Sequence, residues 1–262
     1  MTDDELLALY DQEQRRDPQF PGARREAAGE VVRYVDETAV AEANYVLYSR
    51  LTTANADRVI QEQMDYFAAN GRSFEWKLFD HDTPPDLRRR LAAHGFTIGD
   101  AEAVMVLDLQ QAPIELRQPI TADVRRLSNP DDAYLVVPIE EAVWGGDHRD
   151  WGARLAEEMR TAPQLLSVYL AYADGVPACA AWINFTPNSQ FASLWGGSTR
   201  PEYRKRGLYT AVLATRVQEA IQRGYRYLTI DASPMSRPIV ARHGFRFLTY
   251  SYPCSWEPDG KD

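Results

Sequence analysis

Between residues 199 and 246, nine arginines and one lysine face only Glu202, Glu219 and Asp231, a local balance of +7 in a chain of net charge −9. Within this run Arg204, Lys205 and Arg206 stand directly before Gly207, and residues 208–223 are spaced as a helix. At a helix start several backbone N–H groups lack intrahelical partners, and the macrodipole is positive there. Glycine allows the sharp turn that lets consecutive amides converge on an anion. Guanidinium groups add paired phosphate contacts. Strand, basic turn, glycine and helix in that order suit the capture of a diphosphate. Neither GxxxxGK[ST] nor GxGxxG occurs, so the turn belongs to neither a P-loop nor a Rossmann fold. A charge run is ordinarily a solvated helix face; the glycine inside this one favours a ligand.

Other residue types offer less chemistry. Cys179 and Cys254 are isolated, and His81, His94, His148 and His243 fall in no HExxH or CxxC pattern, so no metal is expected. No apolar run of 18 residues occurs and the acidic start MTDDELLALY is unlike a leader, so a cytoplasmic protein without membrane contact is expected. The acidic balance outside 199–246 disfavours nucleic acid as a partner.

The elements that position the cradle follow from periodicity. Thr2 and Glu5 form a capping box for a helix over 3–16. Strands are expected at 31–36, 45–51, 74–79 and 103–109, with helices at 52–70 and 84–94. After a polar connection at 110–113 comes a short strand at 114–116, then helices at 130–143 and 150–160. Strands at 166–172 and 176–185 join around Asp174-Gly175, and 191–199 is a third. Helix 208–223, strand 225–230, helix 235–243 and strand 245–252 complete the order. The fold class is α/β with a mixed sheet, in lobes 1–112 and 113–262. Residues 82–96 overlay 231–245 at a shift of 149: Asp82 on Asp231, Pro85 on Pro234, Ala92 on Ala241, His94 on His243, Gly95 on Gly244 and Phe96 on Phe245. The shared element order on both sides favours a duplication.

TRPEYRKRGLY resembles the coenzyme-A loop of the GCN5-related N-acetyltransferase (GNAT) superfamily, V-x-P-x-[YFW]-[RQ]-x-x-G-[IL]-[GA]. Thr199, Pro201, Tyr203, Arg204, Gly207 and Leu208 fall on the pattern, while Tyr209 replaces a small residue. A second block, N-x-x-A-x-x-x-Y-x-x-x-G-F, overlays 233–245, where Gly244 and Phe245 agree and Ser233 and Ser236 are small polar substitutes. The likeness covers about 114–262. It implies acetyl-CoA as cosubstrate: the backbone of Gly197, Ser198 and Thr199 along the pantetheine arm, and the amides from Lys205 through Arg206, Gly207, Leu208 and Tyr209 to Thr210 around the pyrophosphate. Arg204 or Arg206 then lies near the phosphates, with Ser233 close by. Gly196-Gly197 inside a strand suggests a bulge.

Acetyl transfer also needs proton management. The family's usual acid, a tyrosine, falls here on Val240, and FASLWGGST carries no carboxylate. Tyr209 and Tyr252 are the candidate acids and Asp231, Glu140 and Glu141 the candidate bases, with Tyr209 and Asp231 the foremost of each; for the carboxylates, helix caps and solvated faces are the competing roles. His94 and His243 read as C-terminal caps, and Trp144, Trp151, Trp182 and Trp195 as acceptor walls or core. The first lobe's equivalent turn, LTTANADRVI, has no glycine and carries Asp57, so that lobe is expected to be a degenerate copy without a cofactor site; mycothiol synthase has a broadly similar two-lobe plan. The resulting expectation is a monomeric N-acyltransferase acting on a small-molecule or peptide amine, the alternative being a non-catalytic acyl-CoA sensor.

Overall fold

The computed structural model describes residues 1–37 and 44–258. In chain order the elements are α1 (Asp3–Tyr10), β1 (Ala23–Ala28), β2 (Val31–Asp36), β3 (Tyr45–Ser49), α2 (Ala56–Ala69), β4 (Phe74–Phe79), α3 (Leu87–Ala93), β5 (Thr97–Ile98), β6 (Glu102–Asp108), β7 (Val124–Arg126), α4 (Val137–Trp144), α5 (Arg149–Thr161), β8 (Leu166–Ala173), β9 (Val176–Phe185), β10 (Phe191–Thr199), α6 (Leu208–Gln222), β11 (Tyr227–Ala232), α7 (Arg237–Arg242) and β12 (Arg246–Trp256). They divide into two compact units. One comprises Met1–Val104 with Ala232–Arg237 and Phe247–Asp262; the other comprises Met105–Asp231 with Pro238–Arg246. The boundary expected at 112/113 lies inside the second unit, and the C-terminal strand groups with the first.

The first unit orders its strands β1-β2-β3-β4-β12, with β5 on β12. All these pairings are antiparallel except β3 with β4. Val31, Val35, Trp76 and Cys254 from its strands pack with Phe67 of α2 and Leu87 and Leu91 of α3. The capping box forms: Glu5 N–H donates to Thr2 Oγ1 at 3.2 Å, and Thr2 N–H to Glu5 Oε2 at 2.8 Å. The helix expected over 3–16 is α-helical only to Tyr10, and Asp11–Arg16 continues as a wide π turn. Such a widening re-aims side chains. Here Arg15, 1% exposed, lies bidentate on Asp82 at 2.6 and 2.9 Å, beside Asp11 at 2.7 Å.

The second unit orders its strands β6-β11-β10-β9-β8-β7. Only β10 and β11 are shown parallel, while β7, β8, β9 and β10 meet antiparallel. Alternation along β8 and β9 feeds two cores. Val168, Leu170, Ala180 and Trp182 meet Ile139 of α4 and Leu155 of α5; Ala171, Cys179 and Ala181 meet Leu208 and Val212 of α6. The strand expected at 114–116 is instead the 3-10 turn Ile114–Leu116, and the edge strand is Val124–Arg126. The helix expected over 130–143 is a 3-10 turn, Pro130–Leu135, followed by α4.

Candidate active site

The site is a fork in the second unit's sheet. β10 and β11 pair in parallel from Phe191↔Tyr227 to Leu194↔Ile230, but β10 runs on to Thr199 without a partner strand on that side among the described residues. On its other side, β10's register with β9 slips between Gly196 and Ser198, leaving Gly197 as an extra residue. This is the bulge that the glycine pair implies, and a bulge bends its strand away from its neighbour. Both glycines have positive φ, and neither has room for a side chain. A Cβ on Gly196 meets the Trp182 ring at 2.5 Å, and one on Gly197 meets Tyr209 Cε2 at 2.7 Å.

Arg216 fastens the opened ladder from below. It is fully buried on α6, and its Nη1 donates to the carbonyls of Trp182 and Trp195, both at 3.1 Å. Those two residues stand opposite one another across β9 and β10. Its Nε donates to Val212 O at 3.1 Å, while Nη2 is covered and unpartnered. Sequence reading passed over Arg216. The available signal was an arginine among Val212, Leu213, Val217 and Ala220, at helical spacing on the buried face.

After Thr199 the chain turns through Pro201–Tyr203 into α6, whose N-cap is Gly207 at φ 78° with no side-chain cap. Lys205, at φ 62°, also lies in the left-handed region. Among the described residues, no backbone N–H from Lys205 through Thr210 donates to another group of the chain. Consecutive free amides alternating through left-handed positions form an anion-binding concavity, reinforced by the helix dipole. Nothing stands within 4 Å of a Cβ built on Gly207, so the concavity is open.

The expected cosubstrate residues from Gly197 to Thr210 thus converge on one strand end and one helix start. Within them the bases differ. Arg204 Nε donates to Thr199 O at 3.2 Å, whereas Arg206 is paired with Asp174 of the β8–β9 turn at 2.8 and 3.1 Å. Leu208 is buried against Val212. Thr199 Oγ1 is covered without a partner. Ser233 lies in the segment that groups with the first unit, and its Oγ accepts from Ser236 N–H at 3.2 Å, capping the turn before α7.

Of the catalytic candidates, Asp231 follows Ile230, the last residue of β11 paired to β10, and so stands half-buried at the fork. Tyr209 packs its ring under Gly197; its hydroxyl is covered and unpartnered, and burial pushes the phenol pKa up. Glu140 of α4, 6% exposed, accepts a 2.9 Å hydrogen bond on Oε2 from Ser198 Oγ, and its Oε1 is covered without a partner. Burial raises the Glu140 pKa above the usual 4.5. Trp144, at the end of α4, donates from Nε1 to the same Ser198 Oγ at 3.0 Å. Trp182 is core, but Trp144, Trp151 and Trp195 are exposed at 56, 42 and 40%. Two further bases of the arginine-rich run are ion-paired, Arg223 with Glu219 at 2.7 Å and Arg226 with Asp108 at 2.6 Å. No helix among the described residues is long and apolar enough to cross a membrane.

Residues 127–245 match the family model described as acetyltransferase (GNAT) family. The chain is similar in structure to a GCN5-related N-acetyltransferase from Kribbella flavida, at TM-score 0.67 and 17% identity over 98% of this chain and 95% of that one. A functionally unknown conserved protein from Staphylococcus epidermidis is similar at TM-score 0.63 and 15% identity, over 91 and 96% of the two chains. A tandem GNAT protein from the clavulanic acid biosynthesis pathway is similar at TM-score 0.59 and 16% identity, over 100 and 96%. No curated protein matches the chain in sequence. The fork and the cradle both lie inside the matched segment, and the chain carries, over residues 127–245, a domain of the acetyltransferase (GNAT) family.

Proposed function

We propose that the second unit transfers an acetyl group from acetyl-CoA to a primary amine of a small molecule or peptide N-terminus. The observation that carries this reading is the run of unpartnered amides from Lys205 to Thr210 beside the free edge of β10. Amides of that geometry suit the pyrophosphate, and the backbone of Gly197, Ser198 and Thr199 suits the pantetheine amides, which add to a sheet edge as a strand does. Arg204 and Lys205 supply the flanking positive charge. Asp231 at the fork is the carboxylate closest in sequence to the parting of the strands, and Tyr209 serves by shaping the floor under Gly197.

The first unit holds no second cosubstrate in this reading. In the turn before α2, the Asn55 and Ala56 amides are taken up by Thr52, and Asp57 places a carboxylate in the first helical turn. The protein works as a monomer in the cytoplasm, without metal.

A second reading, an acyl-CoA sensor without turnover, draws support from Val240. It is fully buried at the position where the family's tyrosine acid is expected, so that acid is missing. Thiol release measured with acetyl-CoA and a panel of primary amines separates the two. Amine-dependent release supports the transferase; acetyl-CoA binding without release from any amine supports the sensor.

A further inference from the structure

Ser198 is the one residue of the bulged strand whose side chain joins an ionisable group to an exposed one. A hydroxyl offers one proton and two lone pairs. The Ser198 proton goes to Glu140 Oε2 at 2.9 Å, and one lone pair accepts from Trp144 Nε1 at 3.0 Å. The chain of donors therefore points one way, from an exposed indole N–H, through a buried hydroxyl, to a buried carboxylate. Glu140 has spare capacity, since its Oε1 is covered and accepts nothing. A carboxylate left half-satisfied out of water is costly to keep charged, which favours its taking up a proton. Trp144 closes α4 and is followed by Gly145 and Gly146, both at positive φ with nothing within 4 Å of a built Cβ.

We propose that Ser198 and Glu140 form the path by which the acceptor loses its proton, the acceptor being a primary ammonium that replaces the Trp144 N–H on Ser198. This rests on the transferase reading. The step balances without a further reactant. One N–H proton of the ammonium passes to Ser198 Oγ as the Ser198 proton passes to Glu140 Oε2, leaving a neutral amine, an intact serine and a neutral carboxylic acid. Ser198 touches the acceptor, while Glu140 acts through it. The exposed indoles of Trp144, Trp151 and Trp195 suit a cation on an apolar or aromatic skeleton, since a ring face attracts an ammonium. Few other charges face the pair. His148, in the turn before α5, favours the charged carboxylate, and burial, with a smaller contribution from Glu140, pushes the Cys179 thiol on β9 up to about 11. Other acids of these elements have cations of their own: Asp147 pairs with Arg149, towards which Glu141 and Asp150 also act, Asp131 and Glu157 pair with Arg160, and Glu158 with Arg154. β10 carries no ionisable side chain.

The test is thiol release from acetyl-CoA with n-butylamine and 2-phenylethylamine across pH, for the wild type, Glu140→Gln, Ser198→Ala and Ser198→Thr. The path predicts that Glu140→Gln and Ser198→Ala lower kcat about 100-fold, while acetyl-CoA affinity measured by calorimetry stays within a factor of about 2. The acidic limb of the wild-type kcat/KM profile disappears in Glu140→Gln, and Ser198→Thr restores most of the rate. A merely structural hydrogen bond alters stability and leaves the limb in place. Wild-type turnover with an unchanged limb and rate in Glu140→Gln overturns the path alone. A wild type that binds acetyl-CoA but releases no thiol with either amine overturns the transferase reading and the path together.

Discussion

The turn from β3 into α2 and the turn from β10 into α6 occupy matching places in a shared order of strand, helix and parallel strand. At the first, Thr52 and Asn55 bind one another, with Thr52 N–H donating to Asn55 Oδ1 at 2.7 Å, and Thr52 O takes the Ala56 amide at 3.1 Å. Asp57 then answers the positive helix end with its own carboxylate, paired to Arg90 and to His94. At the second, Gly207 replaces a capping side chain, and six successive amides have no partner among the described residues. One helix start has its first amides turned back onto Thr52 and a carboxylate beside it; the other leaves a longer run of amides, and no carboxylate, facing an anion. The polar residues of the first unit are spent on cohesion instead, above all around Arg15. The same topology therefore does not imply the same site.

Changes that convert one turn toward the other test this contrast. The largest effect is expected from Gly207→Asp, which adds a carboxylate where the diphosphate sits. It lowers acetyl-CoA affinity by more than about 100-fold, while the positive φ of Gly207 costs about 1–2 kcal/mol and its open surroundings leave room for the side chain, so the fold is kept; calorimetry and a melting curve check both. Asp57→Asn, the opposite change in the first unit, creates no second site. Arg15→Met comes next. It strands Asp82, 3% exposed at its side chain, without its cation and costs about 3–5 kcal/mol of stability. The measurement is the denaturant midpoint, and acetyl-CoA affinity in the folded protein is expected unchanged.

Gly197→Ala meets both a positive φ and the Tyr209 ring at 2.7 Å, costing about 2 kcal/mol and weakening acetyl-CoA binding as the fork closes. Tyr209→Phe removes a covered hydroxyl with no partner, so stability rises by up to about 1 kcal/mol. Thiol release is expected within twofold of the wild type; a deep loss assigns Tyr209 the acid role that its burial argues against. The smallest effect is a pH dependence. Burial raises the folded-state Glu140 pKa, so between 4.5 and that higher value the folded protein holds a proton the unfolded chain has lost. Stability falls as pH rises through this window. Glu140→Gln is expected to flatten the fall in melting temperature on the alkaline side and to match the wild type below pH 4.5.

What the sequence made legible was local. The capping box and the Asp174-Gly175 hairpin each depend on residues within a few positions of one another and form as expected, and the basic turn likewise leads through Gly207 into a helix start with unpartnered amides. The Gly196-Gly197 bulge was legible for the same reason, since two glycines in a strand mark close approach. Illegible features depended on distance or on polar edges. ARREAA and VRR form β1 and β7 although neither has an apolar alternation, because ladder hydrogen bonds suffice at an edge. Glu140 and Ser198 are 58 positions apart, and only the packing of α4 on the bulge brings them together. Arg216 hid as one more base in a basic run, although its guanidinium is the most deeply buried of that run. The C-terminal strand's grouping with the first unit rests on Ser251↔Phe79 and its following pairs, a long-range register that no local pattern encodes.

The most direct measurement is a calorimetric titration of acetyl-CoA into the full chain and into Gly207→Asp. One site per chain, lost in the variant, is the expected result. Two sites per chain, or a single site that survives Gly207→Asp, contradicts the assignment of an open helix start in the second unit and a closed one in the first.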